Sequence, residues 1–292
     1  MLVSEKAIFF GNLFPPECDI IYENPKFSVL QGGFMAADYE YFKKEIFKLT
    51  SIDLNSYKEK QMKRRIDNLI TKNKITGYDN YVNSLKTDKA LFDEFINYIT
   101  INVSEFYRNP DQWAYMDKTV IPKLIERFGT RLKIWSAACS TGDEPYSLVM
   151  ALSRHIPLNQ IKITATDLDK TVIAKAKVGL YDAKSISGVP DDLKKKYFTQ
   201  VGPSYKISDE IKKCVTFTEH NLLKDRYDTN YDMIVCRNVL IYFTDEAKDE
   251  VFRKFFASLK SGGFLFIGST EQIVNYKDMG YVRENSFYYG KP

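Results

Sequence analysis

The chain has little of what metal and thiol chemistry need. Its 292 residues hold two histidines, His155 and His220, and four scattered cysteines, Cys18, Cys139, Cys214 and Cys236, with no CxxC pair. No zinc-ligand set can be read from them, and no metal is expected. Four unclustered thiols fit a reducing cytosol. No apolar run approaches the ~20 residues that span a bilayer, so membrane insertion is not expected. The apolar "AIFF" near the start follows Glu5 and precedes Pro15 and Pro16, which makes a poor signal peptide. The expected location is the cytoplasm. An excess of one charge is missing as well: 42 Lys and Arg against 38 Asp and Glu leave +4. That is not the balance of a nucleic-acid binder, and no nucleic-acid partner is expected. Internal repeats and low-complexity tracts are absent.

What is present divides into two styles. Residues 1–36 lack periodicity and carry Pro15, Pro16, Pro25, Gly32 and Gly33. They read as an N-terminal extension. "QGG" at 31–33 is encodable by a purine-rich run resembling a bacterial ribosome-binding site, so Met35 is the expected natural start. Residues 37–116 read as a helical domain and linker. "DYEYFKKEIFKLT" spaces Tyr39, Phe42, Ile46 and Leu49 by three and four. The next segment, 54–72, continues with Tyr57 and then Met62, Ile66 and Leu69 spaced by four and three, which turn toward a core. Lys60, Lys63 and Arg64 then share another face.

From 117 to the end, "RLKIWS", "IKITATD", "YDMIVCRN" and "GGFLFIG" read as short buried strands. Helical segments lie between them, at 145–155, 170–177 and 245–260. That alternation predicts an α/β fold with a parallel sheet. The terminal "SFYYGKP" is expected to return as an antiparallel edge strand. Residues 196–219 are rich in Tyr, Phe, Val, Ile and Thr and read as a small antiparallel β insertion.

In such a sheet, ligands bind beyond the carboxyl ends of the strands. The first strand leads into "AACSTGDEPYSL", a turn of small residues opening a helix. A dinucleotide site would show G-x-G-x-x-G with pyrophosphate at the helix N-terminus. This loop has one glycine, Gly142, and two carboxylates, Asp143 and Glu144. They complement the helix dipole but repel phosphate. The ligand should carry positive charge and no phosphate, as S-adenosylmethionine does. Glu144 could receive its ammonium group, and Asp167, at the end of the next strand, its ribose hydroxyls. Taken singly, these acids also fit helix-start charge or a turn cap.

"INVSEFYRNP", "KIWSAACSTGDEPYSL", "ITATDLD" and "YDMIVCRNVLIYF" occur in this order. The sequence from about Ala37 onward resembles the chemotaxis receptor methyltransferases of the CheR family. The resemblance implies a helical N-terminal domain and a Rossmann-like, S-adenosylmethionine-dependent methyltransferase domain. It implies S-adenosyl-L-homocysteine as product and receptor glutamates as acceptor. Matched to the family motifs, the cofactor-binding residues are Asn102, Ser104, Arg108, Glu144, Asp167, Asn221, Leu222, Arg237 and Asn238. Arg108 and Tyr242 are the residues expected nearest the chemistry. The helix bearing Lys60, Lys63 and Arg64 is expected to meet the cytoplasmic methylation region of a transmembrane receptor, with the enzyme acting as a monomer. The family's longer glycine-rich turn in the β insertion is replaced by "VGPSYKI", so a receptor peptide tether is not expected. A methyltransferase for another protein, RNA or a small molecule stays open at this level, as does an inactive binding module.

Overall fold

The computed structural model describes residues 36–292. The expected extension and the proposed start at Met35 lie outside the described residues. Four amphipathic helices come first: α1 (Ala36–Thr50), α2 (Glu59–Lys72), α3 (Tyr78–Thr87) and α4 (Lys89–Thr100). Their apolar stripes close on a shared core of Phe42, Ile46, Met62, Ile66, Leu69, Tyr81 and Phe95. Asp88 caps α4 by accepting from the backbone N–H groups of Ala90 and Leu91, which would otherwise lack partners.

A linker then leads through α5 (Pro110–Tyr115) and a π turn into α6 (Ile121–Phe128). The α/β part follows as β1 (Lys133–Ala137), α7 (Asp143–Leu152), β2 (Lys162–Asp167), α8 (Lys170–Val178), β3 (Leu180–Tyr181), α9 (Asp191–Tyr197), β4 (Phe198–Val201), β5 (Ser204–Ile207), α10 (Asp209–Lys212), β6 (Val215–Glu219), β7 (Tyr231–Cys236), α11 (Asp245–Ser258), β8 (Leu259–Ile267), β9 (Val282–Arg283) and β10 (Tyr288–Gly290). Seven strands form one sheet in the order β6-β2-β1-β7-β8-β10-β9. The first five are parallel, and β10 and β9 close the sheet antiparallel. Strands β1 and β7 are buried along nearly their whole length, as expected where helices cover both faces. One face packs on α5, α6 and α7 and the other on α11.

Two details depart from the sequence reading. The segment "VTFTE", read as part of the insertion, is β6 and pairs with β2 at the edge of the main sheet. The small sheet is β3-β5-β4 and starts earlier, at Leu180. Short strands of either kind share the same β-branched composition, so only tertiary pairing separates them. The terminal strand β10 is antiparallel as expected, but β9 lies outside it and forms the edge.

No helix among the described residues is long and apolar enough to cross a membrane.

Candidate functional site

The strand order reverses between β1 and β7, with β2 and β6 on one side and β8 on the other. A crevice opens at such a switch point beyond the strand ends. Here it is a cleft of about 970 Å³. Its floor comes from the loop after β1, the end of β2 and the turn after β7. Its walls come from the linker and from the 3-10 turn Leu240–Tyr242.

The loop after β1 bends through three left-handed residues, Ala138, Ser140 and Gly142, the last at φ 90°. A Cβ on Gly142 would lie 2.9 Å from the Cβ of Ala176, so only glycine fits there. Asp167 holds the loop down. One carboxylate oxygen accepts from the Ser140 N–H at 2.7 Å and the other from the Asp169 N–H at 3.0 Å. Burial raises its pKa, and these backbone bonds oppose that shift. Asp167 therefore shapes the loop besides facing the cleft.

Glu144 starts α7 and points into the cleft. It accepts from the Ser136 hydroxyl at 2.9 Å, and its other oxygen lies 3.7 Å from Arg237. Burial pushes its carboxyl up to about 7, with Arg237 and the Ser136 bond pulling down and Glu271 pushing further up. This poised carboxylate gains most from a cationic ligand. Asp143 behaves differently. It is fully buried, accepts from Thr141 at 2.5 Å and does not line the cleft. The reading of two carboxylates facing one ligand is thus corrected to one. Adjacent residues at a helix start are about 100° apart, so they need not share a target.

All ten sequence-matched residues, Asn102, Ser104, Arg108, Glu144, Asp167, Asn221, Leu222, Arg237, Asn238 and Tyr242, border this cleft. Several are already engaged. Asn102 donates to Asp169, the N-cap of α8, at 2.9 Å. The Asn221 side-chain oxygen accepts from the Leu223 N–H within a turn. Arg237 is 7% exposed. It donates to the Arg108 carbonyl at 2.7 Å and to Gln112 at 2.8 Å, and lies over the Phe266 ring. It thereby ties the linker to the turn after β7.

The residues expected to meet a receptor, Lys60, Lys63 and Arg64, lie on α2 and do not line the cleft. Met62, Ile66 and Leu69 are buried as expected, and Lys60 and Arg64 are exposed. Lys63 is partly exposed, pairs with Asp67 at 2.9 Å and lies over the Tyr39 and Tyr78 rings. Tyr57 precedes α2 and packs against the helical core as expected, and it also bridges to Phe243 and lines the cleft.

Sequence reasoning missed several contributors, among them Tyr57, Leu168, His220, Phe243 and Glu271. Tyr57 reads as a residue of the helical core, which it does touch, so its cleft side stays unread. Leu168 and His220 adjoin matched residues, and that adjacency was the available signal. Glu271 accepts from four backbone N–H groups around the turn after β7, and no local pattern marks it.

The donor set fits S-adenosylmethionine: carboxylates in the first turn of α7 and at the end of β2, apolar walls from Leu168, Leu222 and Phe243, and no phosphate cradle. The CheR methyltransferase all-alpha domain matches residues 37–100, and the CheR methyltransferase SAM binding domain matches residues 102–288. A chemotaxis protein methyltransferase of Listeria innocua is 43% identical over 254 residues, covering 87% of this chain and 97% of the relative. Chemotaxis protein methyltransferase 1 of Pseudomonas aeruginosa is 34% identical, covering 83% and 92%. With both family domains matched in order over a cleft of this chemistry, the chain belongs to the CheR family of S-adenosylmethionine-dependent methyltransferases.

Proposed function

We propose that this enzyme methylates glutamate side chains in the cytoplasmic region of chemotaxis receptors, forming methyl esters used in sensory adaptation. The observation that carries the proposal is the convergence of all ten matched residues on one cleft at the strand switch point. The receptor as acceptor rests on the named relatives.

S-adenosylmethionine supplies a methyl group activated on a sulfonium; a carboxylate oxygen takes it as the carbon–sulfur bond breaks and sulfur keeps the electron pair. A glutamate is already ionised at neutral pH, so no general base is required. The protein's task is alignment and exclusion of water. In this reading Glu144 holds the ammonium end and Asp167 the ribose. Asn221 and Leu222 flank the adenine. Asn102, Ser104 and the Arg108 backbone close the linker side. The Arg108 guanidinium steers the incoming carboxylate without clamping it, since a tight pair would stabilise the ground state. Tyr242 orients the acceptor. Lys60 and Arg64 of α2 meet the acidic receptor bundle, where complementary charge speeds encounter.

The test combines the enzyme, S-adenosylmethionine labelled in its methyl group, and receptor-bearing membranes. Base-labile label on the receptor is the expected result. Label that resists base, or appears only on RNA or small molecules, overturns the proposal.

A further inference from the structure

Glu271 lies between the ends of β7 and β8 and is 8% exposed. One oxygen accepts from the N–H of Gly268 at 2.7 Å and of Asn238 at 2.8 Å. The other accepts from Leu240 at 2.8 Å and Val239 at 3.0 Å. Four N–H donors fill the acceptor sites of a carboxylate, so Glu271 has none left for a ligand. Its influence runs through the backbone it holds.

That backbone carries Arg237, Asn238, Val239 and Tyr242, all of which line the cleft. Asn238 sits at φ 61°, a left-handed conformation that needs support. Gly268 keeps the contact open, because a Cβ there would lie 2.7 Å from the Asn238 nitrogen and 2.8 Å from the Glu271 carboxylate. On its far side the turn meets the helical region. The Tyr242 carbonyl accepts from the Lys58 N–H, and the Thr244 N–H donates to the Ser56 carbonyl, each at 2.9 Å. Leu240 is buried in the core around α11, so packing and the charge-assisted hydrogen bonds of Glu271 together set the place of the turn.

We infer that Glu271 is a positioning residue for methyl transfer, holding the turn that carries Asn238 and Tyr242 in register with the cofactor cleft. The inference rests on the transfer reaction proposed above. Displacing a positioned group by about 1 Å costs on the order of 100-fold in rate.

Glu271→Gln places an NH2 group against two of the four donors. The expected result is a fall in kcat of about 10- to 100-fold per folded molecule. Affinity for S-adenosylhomocysteine, read by calorimetry, should change several-fold less. A residue that only stabilises the fold would lower Tm and leave kcat per folded molecule unchanged. A kcat within about twofold of wild type, or equal losses in kcat and cofactor affinity, overturns the inference. Gly268→Ala strains the same contact from the other side and should give the same split. Amide hydrogen exchange on the wild-type protein needs no variant: the N–H groups of residues 238–240 and 268 should be strongly protected. Solvent-like exchange at residues 238–240 sinks the idea. A wild-type enzyme that methylates no receptor refutes the functional reading instead, and the exchange measurement then still decides the role of Glu271.

Discussion

Glu144 links cofactor binding to pH in a way that calorimetry can read. Its carboxyl is raised from an ordinary 4.5 to about 7, chiefly by burial, with Arg237, Ser136, Glu271 and Arg108 as its other neighbours. The difference corresponds to roughly 3 kcal/mol between its two protonation states. The folded, ligand-free protein therefore keeps a proton that the unfolded chain has released. Stability from this group is fully present below about 4.5 and is lost as pH rises through about 7. Ligand binding reverses the preference, because an ammonium beside Glu144 favours the carboxylate. Affinity for S-adenosylhomocysteine should rise with pH up to about 7, by as much as tenfold per unit, and then level off. Near pH 7, binding should release about half a proton. Titrations from pH 5.5 to 7.5 in buffers of different ionisation enthalpy measure both quantities. Glu144→Gln should bind weakly with no comparable dependence, which separates Glu144 from the other titratable groups lining the cleft, among them Asp167, raised by burial, and His220, lowered by burial. Wild-type affinity that is flat across this range with no proton release would refute the reasoning.

Asp167→Ala should weaken S-adenosylhomocysteine binding by about 1.5–3 kcal/mol through lost ribose bonds, and by more if the loop at Ser140 loosens; calorimetry on the folded variant decides, and unchanged affinity puts the ribose elsewhere. Reversing Lys60 and Arg64 to Glu should cut receptor methylation at low salt while leaving cofactor affinity intact, with the difference shrinking as salt rises; wild-type rates at low salt would remove α2 from the docking surface. Gly142→Ala should destabilise the fold by about 1–3 kcal/mol, combining a strained φ with a close contact to Ala176; an unchanged denaturation midpoint would contradict the left-handed loop.

The architecture was largely legible because its signals are local. Apolar spacing of three and four marked α1 and α2, and short buried runs marked β1, β2, β7 and β8. The cleft residues were legible through long motifs that each sit at a strand end or in the linker. What escaped was set by pairing across the fold. Val215–Glu219 looks like insertion strand until β2 is beside it. Asp143 and Glu144 look equivalent until α7 turns one into the core and one into the cleft. Lys63 looks like a free cation until Asp67 and two tyrosine rings lie beside it. Glu271 carries no pattern because its four partners are backbone groups, and backbone groups leave no trace in side-chain spelling.

The bridge between Tyr57 and Phe243 bears on how the protein could be cut and recombined. The family boundary falls between residues 100 and 102, yet Tyr57, Ile99 and Thr100 on its near side line the cleft. A fragment beginning at the boundary would keep every strand and still lack part of its cofactor wall. It would also lose the partners that Ser56 and Lys58 offer the turn ending in Tyr242. A chimera that grafts a foreign helical half to redirect receptor choice inherits the same debt. It has to import the seam at 56–58 and 99–108 along with the proposed docking helix, because residues of that seam complete the cleft wall and hold the turn at Tyr242.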